Sequence, residues 1–258
     1  MMKKRPLIFV TNDDGVEAAG LRALSDAMRK LGDVKVVAPL HPMSGIGHAV
    51  TSREPLRLKF IEKDNGYEKY GCSGTPVDCV KLGEQYIIKG KPDLLVSGIN
   101  HGSNAAVNII YSGTMAAALE STIGGVPSIG FSLLDHSHNA DFSASEEYVI
   151  KIAEKVLQGG LPEDTTLNVN IPAVSKNEIK GIKVCRQARS RWVEDYEQRL
   201  DPGRKEYFWL NGTFELKENA KDTDDWALKN NYVSVVPVQF DFTAHKYLDQ
   251  FKKWENHD

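Results

Sequence analysis

Short apolar segments alternate with amphipathic segments along the first two thirds of the chain, and this alternation restricts the fold more than any other feature. Residues 7–11 are apolar except for Thr11, residues 21–31 carry apolar side chains at helical spacing, and residues 34–38 are apolar except for Lys35. Short buried strands separated by amphipathic helices are typical of a parallel sheet covered by helices on both faces. The pattern therefore predicts a three-layer α/β fold with a mostly parallel sheet.

The same alternation continues to Pro172 and then changes. Residues 113–123 and 146–157 are predicted helices, another helix is predicted from residue 75 toward Ile88, and residues 166–171 are a predicted strand. After Pro172 the β-prone segments are separated by a charged, aromatic stretch at residues 186–205 and by an acidic stretch at residues 215–225. These segments are 182–185, 207–210 and 232–238. We interpret residues 1–172 as an α/β core that carries the active site. Residues 173–258 are interpreted as a C-terminal β-rich extension with a hairpin that contributes to oligomerisation and is not an independent domain.

Composition limits the classes of partner. The 32 Lys and Arg residues nearly balance the 35 Asp and Glu residues, so no surface is dedicated to a nucleic-acid polymer or to an anionic membrane. No segment approaches the roughly 20 apolar residues of a membrane span. The three cysteines, Cys72, Cys79 and Cys185, match neither a disulfide framework nor a zinc motif. We expect a soluble cytoplasmic enzyme that acts on a small polar ligand.

Two adjacent carboxylates follow the first strand, in the stretch Asn12, Asp13, Asp14 and Gly15. Ligands of open parallel sheets bind outside the carboxyl ends of the strands. Two carboxylates at that edge create a negative potential that a hard divalent cation such as Mg²⁺ or Mn²⁺ would neutralise. The alternative is that both acids only decorate the start of the next helix, whose dipole favours negative side chains.

Neutral oxygen-bearing side chains and flexible turns follow two further strands. Ser44 and Gly45 come after the second strand, and Asn100 and Asn104 come after the strand that ends near residue 97. Because the carboxyl ends of parallel strands lie at one edge of the sheet, we expect these residues to lie near the two aspartates. Together they are suited to a metal that keeps positions open for water or substrate.

A helix start offers a site for an anion. Ser112, Gly113 and Thr114 open the predicted helix 113–123. Free N–H groups, hydroxyls and the positive end of the helix dipole together bind anions, phosphate most often. The alternative is an ordinary Ser/Thr helix cap. A metal site next to an anion site indicates phosphate ester chemistry.

Several of these motifs, in this order, resemble those of the SurE family of 5'/3'-nucleotidases. They are TNDDGVEAAGLRAL, VVAPLHPMSG, GTPVDCV, PDLLVSGINHGSN and YSGTMAAALE, and the similarity extends through GGVPSIGFS, LNVNIP and YVSVVPVQFDFTA. The resemblance implies a Rossmann-like core and a C-terminal β extension that exchanges between subunits of a homodimer or homotetramer. It also implies a divalent-metal-dependent phosphomonoesterase that hydrolyses nucleoside monophosphates to nucleoside and phosphate with a metal-activated water.

The resemblance also implies roles for individual residues. One Mg²⁺ or Mn²⁺ ion per subunit would be bound by Asp13, Asp14, Ser44 and Asn100. The expected substrate-binding residues are Asn12, Gly45, Asn104, Ser112, Gly113 and Thr114. Asp13, Asp14 and Asn104 are the expected catalytic residues, the last by neutralising charge on the phosphoryl oxygens.

The same residues allow alternative functions. A dinucleotide-dependent oxidoreductase would need a G-x-G-x-x-G turn after the first strand, where NDDGVEAAG stands instead. A non-catalytic nucleotide-binding module on a Rossmann-like core is the main alternative. Among the histidines near the predicted rim, His41, His48 and His101, the last is the best candidate for a general acid.

Overall fold

The structure is a computed structural model that describes residues 5–137 and 139–255, and a mostly parallel sheet forms its centre. The strands are β1 (Leu7–Thr11), β2 (Asp33–Pro39), β3 (Leu58–Asp64), β4 (Tyr67–Cys72), β5 (Leu94–His101), β6 (Ser128–Leu133), β7 (Thr166–Ile171), β8 (Ile182–Val184), β9 (Ser190–Leu200), β10 (Glu206–Leu216) and β11 (Val233–Val238). Nine of them pair in the order β3-β4-β2-β1-β5-β6-β7-β11-β8.

Strand β1 lies where the path of the chain reverses. It pairs in parallel with β2 on one side and with β5 on the other, and the strands from β4 to β7 in the sheet order are all parallel. In open α/β sheets such a switch point leaves a crevice outside the carboxyl ends of the two diverging strands. The residues that follow β1 and β5 therefore face a common crevice.

Helices cover both faces of the sheet. They are α1 (Ala19–Arg29), α2 (Pro76–Leu82), α3 (Gly113–Ile123), α4 (Glu146–Gly159), α5 (Asp224–Lys229) and α6 (Leu248–Phe251). Side chains alternate across β1, so Ile8 and Val10 pack with α1 and α4, whereas Phe9 packs with α2 and α3. The predicted α/β fold with helices on both faces is confirmed. None of the helices in the described residues is long and apolar enough to cross a membrane.

The sheet extends beyond the boundary predicted at residue 172. Strand β11 pairs antiparallel with β7, and β8 pairs parallel with β11, so both belong to the main sheet. Only β9 and β10 leave it, as a two-stranded antiparallel arm. The charged stretch 186–205, predicted to separate two β segments, itself contains β9 at residues 190–200. Both faces of this strand are largely exposed, so it lacks the alternation of buried and exposed side chains that marks a half-buried strand.

The acidic stretch 215–225 also differs from the expectation. It contains the end of β10 and the start of α5. Thr223 caps this short helix, because its Oγ1 accepts a hydrogen bond from the N–H of Trp226 at 3.3 Å. Asp224 and Asp225 occupy the first turn, where the helix dipole favours acids. This helix returns the chain from the arm to the sheet.

Candidate active site

The turn after β1 is held rigidly against the loop that carries Ser44. Within the turn, Asn12 Nδ2 donates to the carbonyl oxygen of Gly15 at 3.0 Å. The N–H of Met43 donates to the carbonyl oxygen of Asp13 at 2.8 Å. These bonds fix two predicted metal ligands from different strands relative to each other.

Asp13 is almost completely buried, with 3% of its surface exposed. One carboxylate oxygen accepts a short hydrogen bond from the hydroxyl of Thr114. Burial raises the pKa of Asp13 to about 6; the hydrogen bond from Thr114 opposes this change and the charge of Asp14 reinforces it. An ionised carboxylate here lacks a compensating cation, which is what a metal would supply.

Asp14 is less buried and faces the end of β5. Its Oδ2 accepts a hydrogen bond from the N–H of His101 at 3.1 Å. Burial raises its pKa, against the lowering effects of that hydrogen bond and of the charges of His101 and His136. Two neighbouring carboxyl groups with raised pKa values make this end of β1 a favourable place for a cation.

The end of β5 brings Asn100 to the same rim. Gly98 has φ +129°, and a Cβ there would lie 2.2 Å from the carbonyl oxygen of Phe131, so only glycine fits. The pairing with β6 shifts between Ser97 and Asn100, which breaks the regular alternation of side chains. Asn100 Nδ2 donates to the carbonyl oxygen of Gly102 at 2.8 Å, which leaves the amide oxygen available as a ligand.

Asn104 is held by the strands on the far side of β5. Its N–H donates to Asn170 Oδ1 at 2.8 Å, and its carbonyl oxygen accepts from Asn168 Nδ2 at 2.9 Å. Its own Nδ2 donates to Ser132 Oγ at 2.9 Å, which uses one of the two amide hydrogens. The second amide hydrogen makes no hydrogen bond within the described residues, which is compatible with the predicted role in phosphate binding.

The start of α3 packs directly on Asp13. Ser112 caps the helix by accepting from the N–H of Met115 at 3.0 Å. A Cβ on Gly113 would lie 2.8 Å from the Cβ of Asp13, so glycine permits this close approach. The N–H groups of the first helical turn have no acceptor within the helix. The hydroxyl of Thr114 is already used by Asp13, and its backbone N–H also stabilises that carboxylate, so Thr114 serves to hold Asp13.

One cavity of about 660 Å³ collects most of the predicted residues. Of these, Asp13, Ser44, Gly45, Asn100, Asn104 and Ser112 line it. Asn12 and Thr114 are fully buried and lie behind this lining, where they hold the turn and the carboxylate. His101 also lines the cavity. His48 is instead paired with Glu120 at 2.9 Å and is not part of the lining.

The donor atoms fit a hard divalent cation. Within residues 5–137 and 139–255, no group of three or more His, Cys, Asp or Glu side chains could hold a metal. The available set is two carboxylates with a hydroxyl and an amide oxygen, which suits Mg²⁺ or Mn²⁺. Among the described atoms, Asn12 Oδ1 is also buried without a hydrogen-bond partner, next to these carboxylates.

Comparison with known proteins identifies the family. The family model described as Survival protein SurE matches residues 8–194. The chain belongs to the SurE family. A protein of Christiangramia forsetii named 5'-nucleotidase SurE is 54% identical, with all of both chains covered. One of the same name from Flavobacterium johnsoniae is 54% identical, with 99% of each chain covered.

A solved structure of the family supports the fold directly. The SurE protein of Aquifex aeolicus aligns with a TM-score of 0.84 and 41% identity, covering 97% of this chain and 100% of that one. The predicted resemblance to the SurE family is thus confirmed, as is the α/β fold.

The SurE motifs do not include several residues that the structure places at the cavity. Trp192, Phe214 and His136 contribute to its lining, as does Tyr111, which stands in the motif YSGTMAAALE but has no predicted role. His136 follows β6, so the rule that placed Asn100 at the rim would also have found it. Trp192 and Phe214 come from the arm, where their rings meet edge to face with centroids 5.5 Å apart. Their position depends on how the arm folds back, for which the sequence gives no local signal.

Proposed function

We propose that this protein is a divalent-metal-dependent nucleotidase that hydrolyses nucleoside monophosphates to nucleoside and phosphate. The observation that carries the proposal is the convergence of a carboxylate pair, neutral oxygen donors and a helix start at one cavity. The relatives named 5'-nucleotidase SurE, similar along the whole chain, support a nucleotidase in particular.

The proposed metal site holds one Mg²⁺ or Mn²⁺ ion on Asp13, Asp14, Ser44 and Asn100. When bound, such an ion lowers the pKa of a water molecule and polarises a phosphoryl oxygen. Of the four residues, Asp13, Ser44 and Asn100 line the cavity, and Asp14 adjoins it. The hydrogen bonds of Thr114 and of His101 to the two carboxylates keep them oriented toward this position.

The chain supplies the rest of the proposed phosphate site. The N–H groups at the start of α3 and the free amide hydrogen of Asn104 donate to the phosphoryl oxygens, where negative charge grows during the reaction. His101 is the candidate for protonating the leaving group. Its Nδ1 lies 3.3 Å from the carbonyl oxygen of Ser137, which only accepts, so Nε2 is the nitrogen left for proton transfer.

The aromatic side of the cavity is suited to the nucleoside. A second cavity of about 530 Å³ adjoins the first and shares Gly45, Tyr111 and Trp192 with it. Leu210 and Gly212 of the arm complete its apolar lining. A phosphate at the metal would thus have aromatic faces beside it on which a base can stack.

Assembly into a homodimer or homotetramer is part of the proposal, as is a location in the cytoplasm. The arm exposes Tyr196, Phe208, Trp209 and Leu210 to solvent. Large apolar side chains grouped on one projecting element are typical of a surface that binds another protein. A second copy of the chain is the proposed partner.

The decisive assay measures inorganic phosphate released from 5' and 3' nucleoside monophosphates with Mg²⁺, with Mn²⁺ and with EDTA. We expect release that requires the metal, disappears in EDTA and disappears in Asp14→Asn. Nucleotide binding without release under any metal would favour the non-catalytic binding module. Release that persists in EDTA would exclude the proposed metal.

A further inference from the structure

A buried carboxylate outside the metal site holds the segment that leads to the phosphate site. Asp224, the first residue of α5, is 0% exposed. Its Oδ2 accepts from the N–H of Ala106 at 2.8 Å, and its Oδ1 accepts from the N–H groups of Ala188 at 2.9 Å and of Asp225 at 2.8 Å. Burial raises the pKa of Asp224, and the three N–H donors oppose this change.

The residue that Asp224 holds has an unfavourable backbone conformation. Ala106 has φ +54°, in the left-handed region that non-glycine residues rarely adopt. It begins a short 3-10 helix, Ala106–Ile110, that lies between Asn104 and Ser112. A conformation of this kind persists only where surrounding contacts impose it. The bond to Asp224 is such a contact, formed across 118 residues of sequence.

The next two residues of this segment are also held from the C-terminal part of the chain. The N–H of Val107 donates to Ser190 Oγ at 3.1 Å. Trp192 Nε1 donates to Asn108 Oδ1 at 2.9 Å. The sheet holds Asn104 through Asn168 and Asn170, whereas the arm and α5 hold the residues that follow it.

We propose that Asp224 is a positioning residue for the phosphate site, because its hydrogen bonds to the N–H groups of Ala106 and Ala188 fix the segment between Asn104 and Ser112 to the base of the arm. The inference rests on the proposed function, since it concerns the same site. Asp224 acts through the backbone and does not touch the substrate. Asp224 is not one of the proposed metal ligands. Replacing its carboxylate should therefore weaken the binding of phosphate and leave the binding of metal unchanged.

The variant Asp224→Asn tests this separation. Asparagine has one oxygen and one NH2 group, so at least one of the three N–H donors loses its acceptor. We expect KM for a nucleoside monophosphate and Kd for inorganic phosphate, measured with Mg²⁺ present, to rise about tenfold or more. The affinity for Mn²⁺, measured by calorimetric titration, should not change. Asp222→Asn is the matched control, because Asp222 is exposed and pairs with Arg186.

Several results would overturn the inference. Unchanged KM and unchanged phosphate affinity in folded Asp224→Asn would do so, as would an equal loss of metal and phosphate affinity, which indicates a general structural role. If Asp224→Asn does not fold, Ser190→Ala decides, because it removes the acceptor of the neighbouring Val107 N–H. A higher KM with unchanged Mn²⁺ affinity supports the inference, and an unchanged KM contradicts it.

The two proposals fail in different ways. If the wild-type protein releases no phosphate from any nucleoside monophosphate, the proposed function is wrong. The titration with inorganic phosphate still compares wild type with Asp224→Asn in that case, so it tests the positioning role separately.

Discussion

The cavity has two walls of opposite character. One is built by the ends of β1 and β5 and by the start of α3, and its carboxylate Asp13 is 3% exposed. The other is built by the arm, where Trp192 is 38% exposed. The first wall is fixed by hydrogen bonds within the sheet, whereas the second is fixed mainly at its base. From this difference we expect the buried wall to carry out the proposed catalysis and the exposed wall to select the substrate.

The largest effect should come from the buried wall. We expect Asp13→Asn and Asp14→Asn to reduce kcat by about a hundredfold to a thousandfold, because each removes negative charge that the proposed metal requires. The measurement is phosphate release at saturating metal. Asp33→Asn is the control, since Asp33 pairs with Arg5 at the opposite end of β2. Near-normal turnover of both variants would contradict the proposed role of the metal in the mechanism.

Burial of Asp13 also predicts how stability depends on pH. Its pKa is raised from 3.8 to about 6 on folding, so between these values the folded state binds more protons than the unfolded state. Without metal, the free energy of unfolding should therefore fall as pH rises through this window, by about 3 kcal/mol from this group. Urea unfolding at several pH values measures it.

Two comparisons sharpen the pH prediction. Asp13→Asn should show a smaller loss of stability between pH 4 and pH 7 than the wild type does. Added Mg²⁺ should restore wild-type stability above pH 6, because a bound cation favours the ionised carboxylate. Identical pH profiles for wild type and Asp13→Asn would show that Asp13 ionises without penalty.

The exposed wall should affect the choice of substrate. We expect Trp192→Ala to reduce kcat/KM for a nucleoside monophosphate about tenfold, because base stacking on an aromatic ring is lost. Ribose 5-phosphate, which has no base, should be affected much less. Trp192→Phe keeps an aromatic face but loses the hydrogen bond to Asn108. It should therefore lower kcat/KM for both substrates by a similar and smaller factor. An equal loss for both substrates in Trp192→Ala would contradict the stacking role.

The smallest effect on turnover should come from the outer part of the arm. Trp209→Ser replaces an exposed aromatic side chain that lines neither the active-site cavity nor the second cavity beside it. We expect it to shift the protein toward smaller species in sedimentation velocity, with little change in the kcat of the folded subunit. Lys205→Ser, near the turn of the arm, is the control. The same size distribution for wild type and Trp209→Ser would show that Trp209 is not part of the subunit contact.

Much of the fold followed from local pattern. The predicted strand at residues 166–171 and the predicted helix at residues 113–123 have the same bounds in the structure. Strand β9 was missed because both of its faces are exposed and no core selects one of them. The helix predicted to run from residue 75 to Ile88 forms α2 only as far as Leu82. It continues as a π-helical turn from Gly83.

The sequence by itself determined which side chains line the buried wall. Asp13, Ser44 and Asn100 each follow a strand, and in a parallel sheet strand ends meet at one edge whatever the loops do. The tertiary structure alone decided that the Thr114 hydroxyl binds Asp13, that Trp192 and Phe214 close the cavity, and that Asp224 holds Ala106. These contacts join residues about a hundred or more positions apart, or depend on the direction of the arm. Periodicity and capping describe only near neighbours, so such contacts follow from packing and not from local pattern.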